Sequence, residues 1–408
     1  MANRMSKAEF IALIAMMFAT IAFSIDSMLP ALPEIGAQLS PDDVNRAQLI
    51  LTSFVLGMGI GTFFTGPLSD AFGRKPVIYG GAALYILASA VAWASASLEL
   101  VLAARVVQGL GAAGPRVVAM AIIRDLYSGR VMARIISIAM MIFTLIPAAA
   151  PLLGAGMIAV FGWRSIFVLF IVFALIIVAW MGVRLPESLA RENRRPFRLP
   201  LMIAATQEMF AHPTVRLSIL VQTLCMGVLF TMLTMVQPIY DVIHDSADSF
   251  PFWFGFVALM SGSASLLNAA LVVRVGMRRM VTWALGAQIV VTALVIVLNM
   301  TSLSAQTAFA LFVFWQTAVF FMAGVTMGNL NAIAMEPMGH IAGMAASVIG
   351  SVATVLAAVI AAPVGLLFDG SLTPLTSGIL IMCILAFGLM LHMGRIENRL
   401  PSEPVQSQ

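Results

Sequence analysis

The sequence predicts an all-α integral membrane fold, twelve transmembrane helices in two pseudo-symmetric six-helix bundles. Three observations carry that reading: the composition, the spacing of apolar runs and the placement of Lys and Arg. Of 408 residues, 61% are hydrophobic and only 10% charged, with a mean hydropathy of +1.02. Soluble domains carry roughly 25% charged residues, and a single soluble core stops growing at about 250–300 residues. So much apolar surface needs lipid as its solvent.

The apolar runs fall at 10–29, 47–66, 77–96, 98–123, 135–161, 165–183, 217–236, 250–272, 281–300, 307–329, 341–368 and 376–393. Each is far longer than the ~9–11 residues of a transmembrane strand and near the ~20 that a spanning helix needs. The first run follows a short basic start and exceeds the ~7–15 apolar residues of a signal peptide, so it reads as an uncleaved first helix.

Basic residues set the orientation. With both termini inside, the inner segments hold all but four of the 22 Lys and Arg: Arg46 and Arg164 fall in outer loops, Arg105 and Arg116 within the fourth run. That asymmetry is the positive-inside signature. It also accounts for the net charge of +4 and pI of about 9.5 without a nucleic-acid partner. The longest polar stretch, 184–214, is rich in Arg and Pro and divides the chain into a bundle at 1–183, a cytoplasmic linker, and a bundle at 215–408 with a short cytoplasmic tail. Ala150-Pro151-Leu152-Leu153-Gly154 in run five echoes Ala362-Pro363-Val364-Gly365 in run eleven. Likewise Gly73-Arg74-Lys75 echoes Gly276-Met277-Arg278-Arg279. Each pair is about half a chain apart, the pattern of fused repeats.

Between runs two and three stands Gly66-Pro67-Leu68-Ser69-Asp70-Ala71-Phe72-Gly73-Arg74-Lys75-Pro76. Gly66 allows close helix approach, Asp70 can accept from a helix N-terminus, and Arg74 and Lys75 supply inside charge. This loop closely resembles the signature loop of the major facilitator superfamily. Ser24-Ile25-Asp26-Ser27 through Ile35 and Arg105-Val106-Val107-Gln108-Gly109 resemble segments of its drug:proton antiporters of the bicyclomycin-resistance type. So do Asn331 and the run Pro337 to Ser347. Pro147, Pro151 and Gly154 resemble a shortened antiporter motif. Pro115-Arg116, by contrast, stands where that type is usually small and apolar. The resemblance implies the major facilitator fold and a proton-coupled exporter of drug-like molecules, a multi-pass protein of the bacterial inner membrane. It also implies conformational roles for Gly66, Asp70, Gly73, Arg74, Lys75, Pro147, Pro151 and Gly154.

Ionisable residues within spans are costly, about 2.5–3.5 kcal/mol each on insertion scales, and so are functional candidates. Here they are Asp26, Arg105 and Arg116. At ~1.5 Å per residue, Asp26 and Arg105 share a depth in the outer half, whereas Arg116 lies nearer the inner face. The expectation is an Asp26/Arg105 couple lining the upper cavity, Asp26 carrying the proton and competing for substrate. The structural alternatives are a fixed ion pair for Asp26 and, for Arg105, holding helices one and four together. Arg116 is either a counter-charge for an anionic substrate or a residue snorkelling to inner-face water. Glu34, at the outer end of the first helix, reads as solvated. Gln108, Gln222, Gln237, Gln316 and Asn331 are candidate substrate contacts; with Asn268, Gln288 and Asn329 they could equally bond between helices. The 29 methionines suit a polyspecific pocket only weakly.

Enzyme chemistry finds no support: G-x-S-x-G, H-E-x-x-H and phosphate-loop patterns are absent. Cys225 and Cys383 sit in apolar runs and imply no disulfide, and His212, His244, His340 and His392 share no ligand spacing. No metal or cofactor is expected. The expected partners are a small-molecule substrate, protons and the bilayer, with the chain monomeric. The runner-up is a transporter of a polar or anionic metabolite that uses Arg116.

Overall fold

The computed structural model describes residues 5–397, and among them every regular element is helical. Twelve helices span: α1 (Lys7–Asp26), α2 (Leu49–Phe72), α3 (Arg74–Ala94), α4 (Leu98–Leu126), α5 (Gly129–Phe161) and α6 (Ser165–Arg184). Then come α7 (Pro213–Pro238), α8 (Phe250–Val275), α9 (Met277–Asn299), α10 (Ala305–Met335), α11 (Ala342–Leu366) and α12 (Thr373–Glu397). Only eleven stretches separate by length and apolarity, because α10 and α11 are joined without a gap by the kinked 3-10 turn Glu336–Ile341, within the stretch Ala305–Leu366. Arg4, Arg399 and the tail at 398–408, assigned by the sequence to the inner side, lie outside the described residues.

Two boundaries differ from the sequence reading for identifiable reasons. The first helix stops at Asp26 instead of running to 29. Pro30 and Pro33 each remove a backbone donor, so the chain continues as a 3-10 turn, Leu29–Ala31, and a short helix, Leu32–Leu39. The stretch 184–214 is not wholly irregular either. It contains the helix Leu199–Ala211, whose Met202, Ala205 and Met209 are buried and which packs on α7 and α11.

The first six helices pack chiefly on one another, with α4 held against α2 and α3, and α1 against α5, α4 and α6. The α2–α4 seam is made by glycine. A Cβ on Gly57 would stand 1.9 Å from the Val106 carbonyl oxygen, and one on Gly109 would stand 2.1 Å from that of Phe54. Gly57 and Gly61 are one helical turn apart, the small-xxx-small spacing that brings backbones together in lipid, where apolar burial gives no selectivity between helices. Among the last six, α7 is packed by α10, α11 and α12.

The two sets meet along α2 with α11 and α5 with α8. They also meet at one end. The 3-10 turn Leu29–Ala31 rests on α7 and the turn Val44–Gln48 on α11, while the Asn45 side chain donates to the Phe368 carbonyl at 2.7 Å. Among the described residues, the bodies of α1 and α4 make no extensive contact with α7 or α10. The two sets are therefore tied through the tip of α1 at the face away from the chain termini and along the length of α2 and α11. The opposite face, where Arg74, Lys75, Arg130, Arg134 and the linker lie, is here called the basic face.

Replacing Gly109 by Val should wedge α2 from α4. Overpacking costs typically about 1–3 kcal/mol, so a lowered thermal unfolding midpoint in detergent is expected, with little change for the uncrowded Gly156→Val.

Candidate functional site

The site is built where α1 breaks. In the last two turns of α1 and at its C-cap, the hydroxyls of Thr20, Ser24 and Ser27 each donate to the carbonyl four residues back. Such bonds weaken and bend a helix, and the prolines beyond finish the break. α5 fits against it through Gly154, where a Cβ would be 2.2 Å from the Ser27 carbonyl oxygen. Pro147 and Pro151 lie inside α5 on the approach to this contact.

Arg105 is fully buried on α4. Its Nε donates to the Ile50 carbonyl at 3.2 Å and Nη2 to the Ser24 carbonyl at 3.1 Å, while Nη1 donates to Gln108 Oε1. The guanidinium lies over the Phe54 ring, 4.3 Å from its centroid. Gln108 in turn donates to Ser89 Oγ at 2.7 Å, and the Tyr85 and Ser24 hydroxyls share a bond of 2.6 Å. One cation thus ties α1, α2, α3 and α4 together, its charge spread over carbonyl dipoles and an aromatic face.

The expected Asp26/Arg105 couple is not formed. Arg105 has turned its donors inward, and the Asp26 carboxyl, on a residue only 4% exposed, has neither an ion pair nor a hydrogen bond among the described residues. Gln108 also departs from expectation: both ends of its amide serve the Arg105 network, so it does not present itself to a substrate. Asp26 therefore stands two residues from the Ser24 carbonyl that binds Arg105, as an unpartnered carboxyl at the helix break.

Arg116 follows the buried Pro115 and is exposed, with no ion pair or hydrogen bond among the described residues. It lies about three turns from the basic-face end of α4. In the second set of helices, Gln222 and Gln237 are buried on α7 with their side-chain oxygens unpartnered. Gln316 on α10 accepts from the Tyr240 hydroxyl at 3.0 Å while its Nε2 is unpartnered. Asn331 is half-buried on α10. Among other polar residues of the spans, Asn329 donates to Asn268 at 2.7 Å and Trp315 to Thr292 at 3.0 Å, both between helices, while Gln288 donates to Thr292 within α9. Beyond the end of α7, His244 packs among Phe309 and Phe312, and burial pushes its imidazole below the ordinary pKa.

A second assembly lies at the basic face. Gly73, at φ 103°, turns the chain between α2 and α3. Arg74 donates to Asp70, to Ser69 Oγ at 2.8 Å and to Asp125 at 2.9 Å. Asp70 was expected to accept from a helix N-terminus. Instead Glu187 takes that role, receiving the backbone N–H of Arg74 and of Lys75, each at 3.0 Å, because the chain after α6 passes directly over the start of α3. Lys75 Nζ donates to the Leu185 carbonyl at 2.8 Å, and the Arg195 N–H to that of Asp70 at 3.0 Å. Gly66 faces α11, where a Cβ would stand 2.9 Å from Ser347 Oγ. Sequence reasoning missed Asp125, Glu187, Tyr85 and Ser89. An acid beside Arg124 and another in a basic linker were the available signals for the first two.

Residues 12–363 match the profile of the Major Facilitator Superfamily. The chain belongs to that superfamily. It is a multi-pass membrane transporter of this kind and not an enzyme. It is 32% identical over 269 residues to the bicyclomycin resistance protein homolog of Haemophilus influenzae, an alignment covering 65% of this chain and 67% of that one. It is 37% identical over 147 residues to a chloramphenicol resistance protein of Pseudomonas aeruginosa, covering 36% of this chain and 35% of the relative. With the multidrug resistance protein MdtL of Escherichia coli it shares 38% over 143 residues, covering 35% of this chain and 36% of the relative. These last two matches therefore span only about a third of each relative's length. In structure it is similar to a D-xylose-proton symporter, with a TM-score of 0.71 at 15% identity over 93% of this chain and 97% of the other. The human organic anion transporter MFSD10 gives 0.63 at 17%, covering 94% and 99%.

Substituting Arg105 by Lys keeps the charge but gives up the planar fork that reaches Ile50, Ser24 and Gln108. A fall in the thermal midpoint is expected, together with at least tenfold slower transport. Unchanged stability would show that the network does not hold the four helices.

Proposed function

We propose that the chain is a proton-coupled exporter of drug-like or toxic small molecules, working by alternating access with Asp26 as the proton carrier. The observation that supports this most is the unpartnered carboxyl at the break of α1. A carboxylate fixed in an ion pair cannot easily exchange its proton, whereas one without a partner responds to whatever charge approaches it. A cationic or polar substrate and a proton then compete for one place. The drug-resistance relatives agree with such a substrate class.

In this reading the bundles at 1–183 and 215–408 rock about the α2–α11 and α5–α8 seams, with 184–214 as the linker. The basic face lies in the cytoplasm of a bacterial inner membrane, both termini inside, by the positive-inside rule. The conformation described here is then sealed on the outer side by the tip of α1 on α7. Gly154 would let α5 slide against the Ser27 carbonyl as the seal opens. The Arg74 assembly would hold the cytoplasmic ends of α2, α3, α4 and the linker as one body.

The coupling is energetically adequate. A proton-motive force of about 150 mV supplies about 3.5 kcal/mol per proton at ~2.3 per 100 mV, which supports about a 300-fold gradient of a neutral substrate at ~1.4 kcal/mol per decade. One titrating carboxyl suffices.

Arg116 supports a second reading, a transporter for a polar or anionic metabolite, because its guanidinium is exposed and free of a protein counter-charge. Liposomes containing the purified chain and a pH dye separate the two. Unrelated cationic or neutral compounds should trigger proton flux in the wild type and in Arg116→Ala, and not in Asp26→Asn. Flux confined to one anionic compound and lost in Arg116→Ala would instead establish the metabolite reading.

A further inference from the structure

We propose that the groove between the basic-face ends of α1 and α5 holds the headgroup and upper acyl chain of an anionic phospholipid. The groove encloses about 420 Å³, within the range of small-ligand sites. Lys7 of α1 and Arg130 and Arg134 of α5 line its mouth, and Ile11, Ile135 and Ile138 line it further in.

The order of these residues along both helices identifies the occupant. On α1, Lys7 is followed one turn deeper by Ile11. On α5, Arg130 and Arg134 are followed one turn deeper by Ile138. Arg130, Arg134 and Ile138 recur at i, i+4 and i+8, so they share a helix face. Both walls therefore run from cation to branched aliphatic, over about 6 Å on α1 and about 12 Å on α5. A soluble anion would use only the mouth of such a groove, whereas a phosphate with a chain beneath it matches the whole.

The three cations lack protein counter-charges. Lys7, Arg130 and Arg134 are exposed and make no ion pair among the described residues. The nearby carboxyl at the start of α1, Glu9, is committed elsewhere, accepting from Arg184 Nε and Nη2 at 2.7 Å and from Trp180 Nε1 at 3.1 Å. By contrast Arg74, Arg184 and Arg46 are all paired. Basic pockets between transmembrane helices at the headgroup level have the chemistry to bind anionic lipid. Because α5 also carries the contact with α8, a lipid lodged here would brace the helix arrangement at the basic face.

The test is a titration of the purified full chain with phosphatidylglycerol or phosphatidylcholine of identical acyl chains, read by native mass spectrometry and by the unfolding midpoint. Wild type should prefer phosphatidylglycerol. Arg130→Gln/Arg134→Gln should weaken that lipid roughly fivefold per cation removed and abolish its thermal stabilisation, with the lipid-free midpoint unchanged. Arg279→Gln, an exposed cation at the same face, should leave both unaltered. Equal loss in Arg279→Gln would mean a diffuse surface charge effect and overturn the proposal. Displacement of the lipid by millimolar glycerol phosphate would reduce the groove to a simple anion site and overturn it as well.

Discussion

A charged side chain at membrane depth must find its solvation within the protein, and Arg105 shows what that requires. Two backbone carbonyls, a glutamine amide and the face of Phe54 together replace water. None of these groups can be supplied unless α1, α2 and α4 lie in their observed register, and Gln108 extends the demand to α3 through Ser89. The glycine seam between α2 and α4 makes the distances possible. In lipid, where apolar packing alone does not discriminate between helix arrangements, such a buried polar knot specifies one arrangement over the others. Asp26 inherits its position from that knot. It sits at the end of a helix whose last turns are loosened by Thr20, Ser24 and Ser27, and whose Ser24 carbonyl is held by Arg105.

The basic-face assembly applies the same logic where water is near. Arg74 binds two carboxylates and a hydroxyl, and Glu187 caps the N-terminus of α3. Those contacts join the ends of three helices, α2, α3 and α4, to the linker, so a movement at this face must carry them together. A transporter that alternates access needs such a stiff body as much as it needs a mobile seam. Close approach is visible where Gly66 meets Ser347 of α11 across the bundles and where Gly154 meets the Ser27 carbonyl within the first.

Much of this was legible in the residues. Length and spacing of the apolar runs fix twelve helices, and the loop from Gly66 to Pro76 fixes the family. Asp26 and Arg105 stand out because charge within a span is rare. What could not be read was who faces whom. At the same depth, Asp26 and Arg105 look like partners, yet depth carries no azimuth, and the rotation of α4 sends Arg105 inward. The same ambiguity misassigned Gln108 to the cavity and gave the N-terminus of α3 to Asp70 in place of Glu187. Linear spacing also hides the helix break, since Pro30 and Pro33 lie beyond an unbroken apolar run. The helix in the linker was obscured by the prolines and arginines that flank it.

The central claim is that Asp26 is free to exchange a proton while Arg105 holds the helices. Equilibrium exchange of a labelled substrate across liposomes carrying Asp26→Asn, with no pH gradient imposed, tests it most directly when set beside accumulation under a gradient. If the carboxyl is the carrier, the variant still exchanges substrate at a rate near that of the wild type but no longer concentrates it. Accumulation by Asp26→Asn to the wild-type level would contradict the account, because the proton would then be travelling by another group.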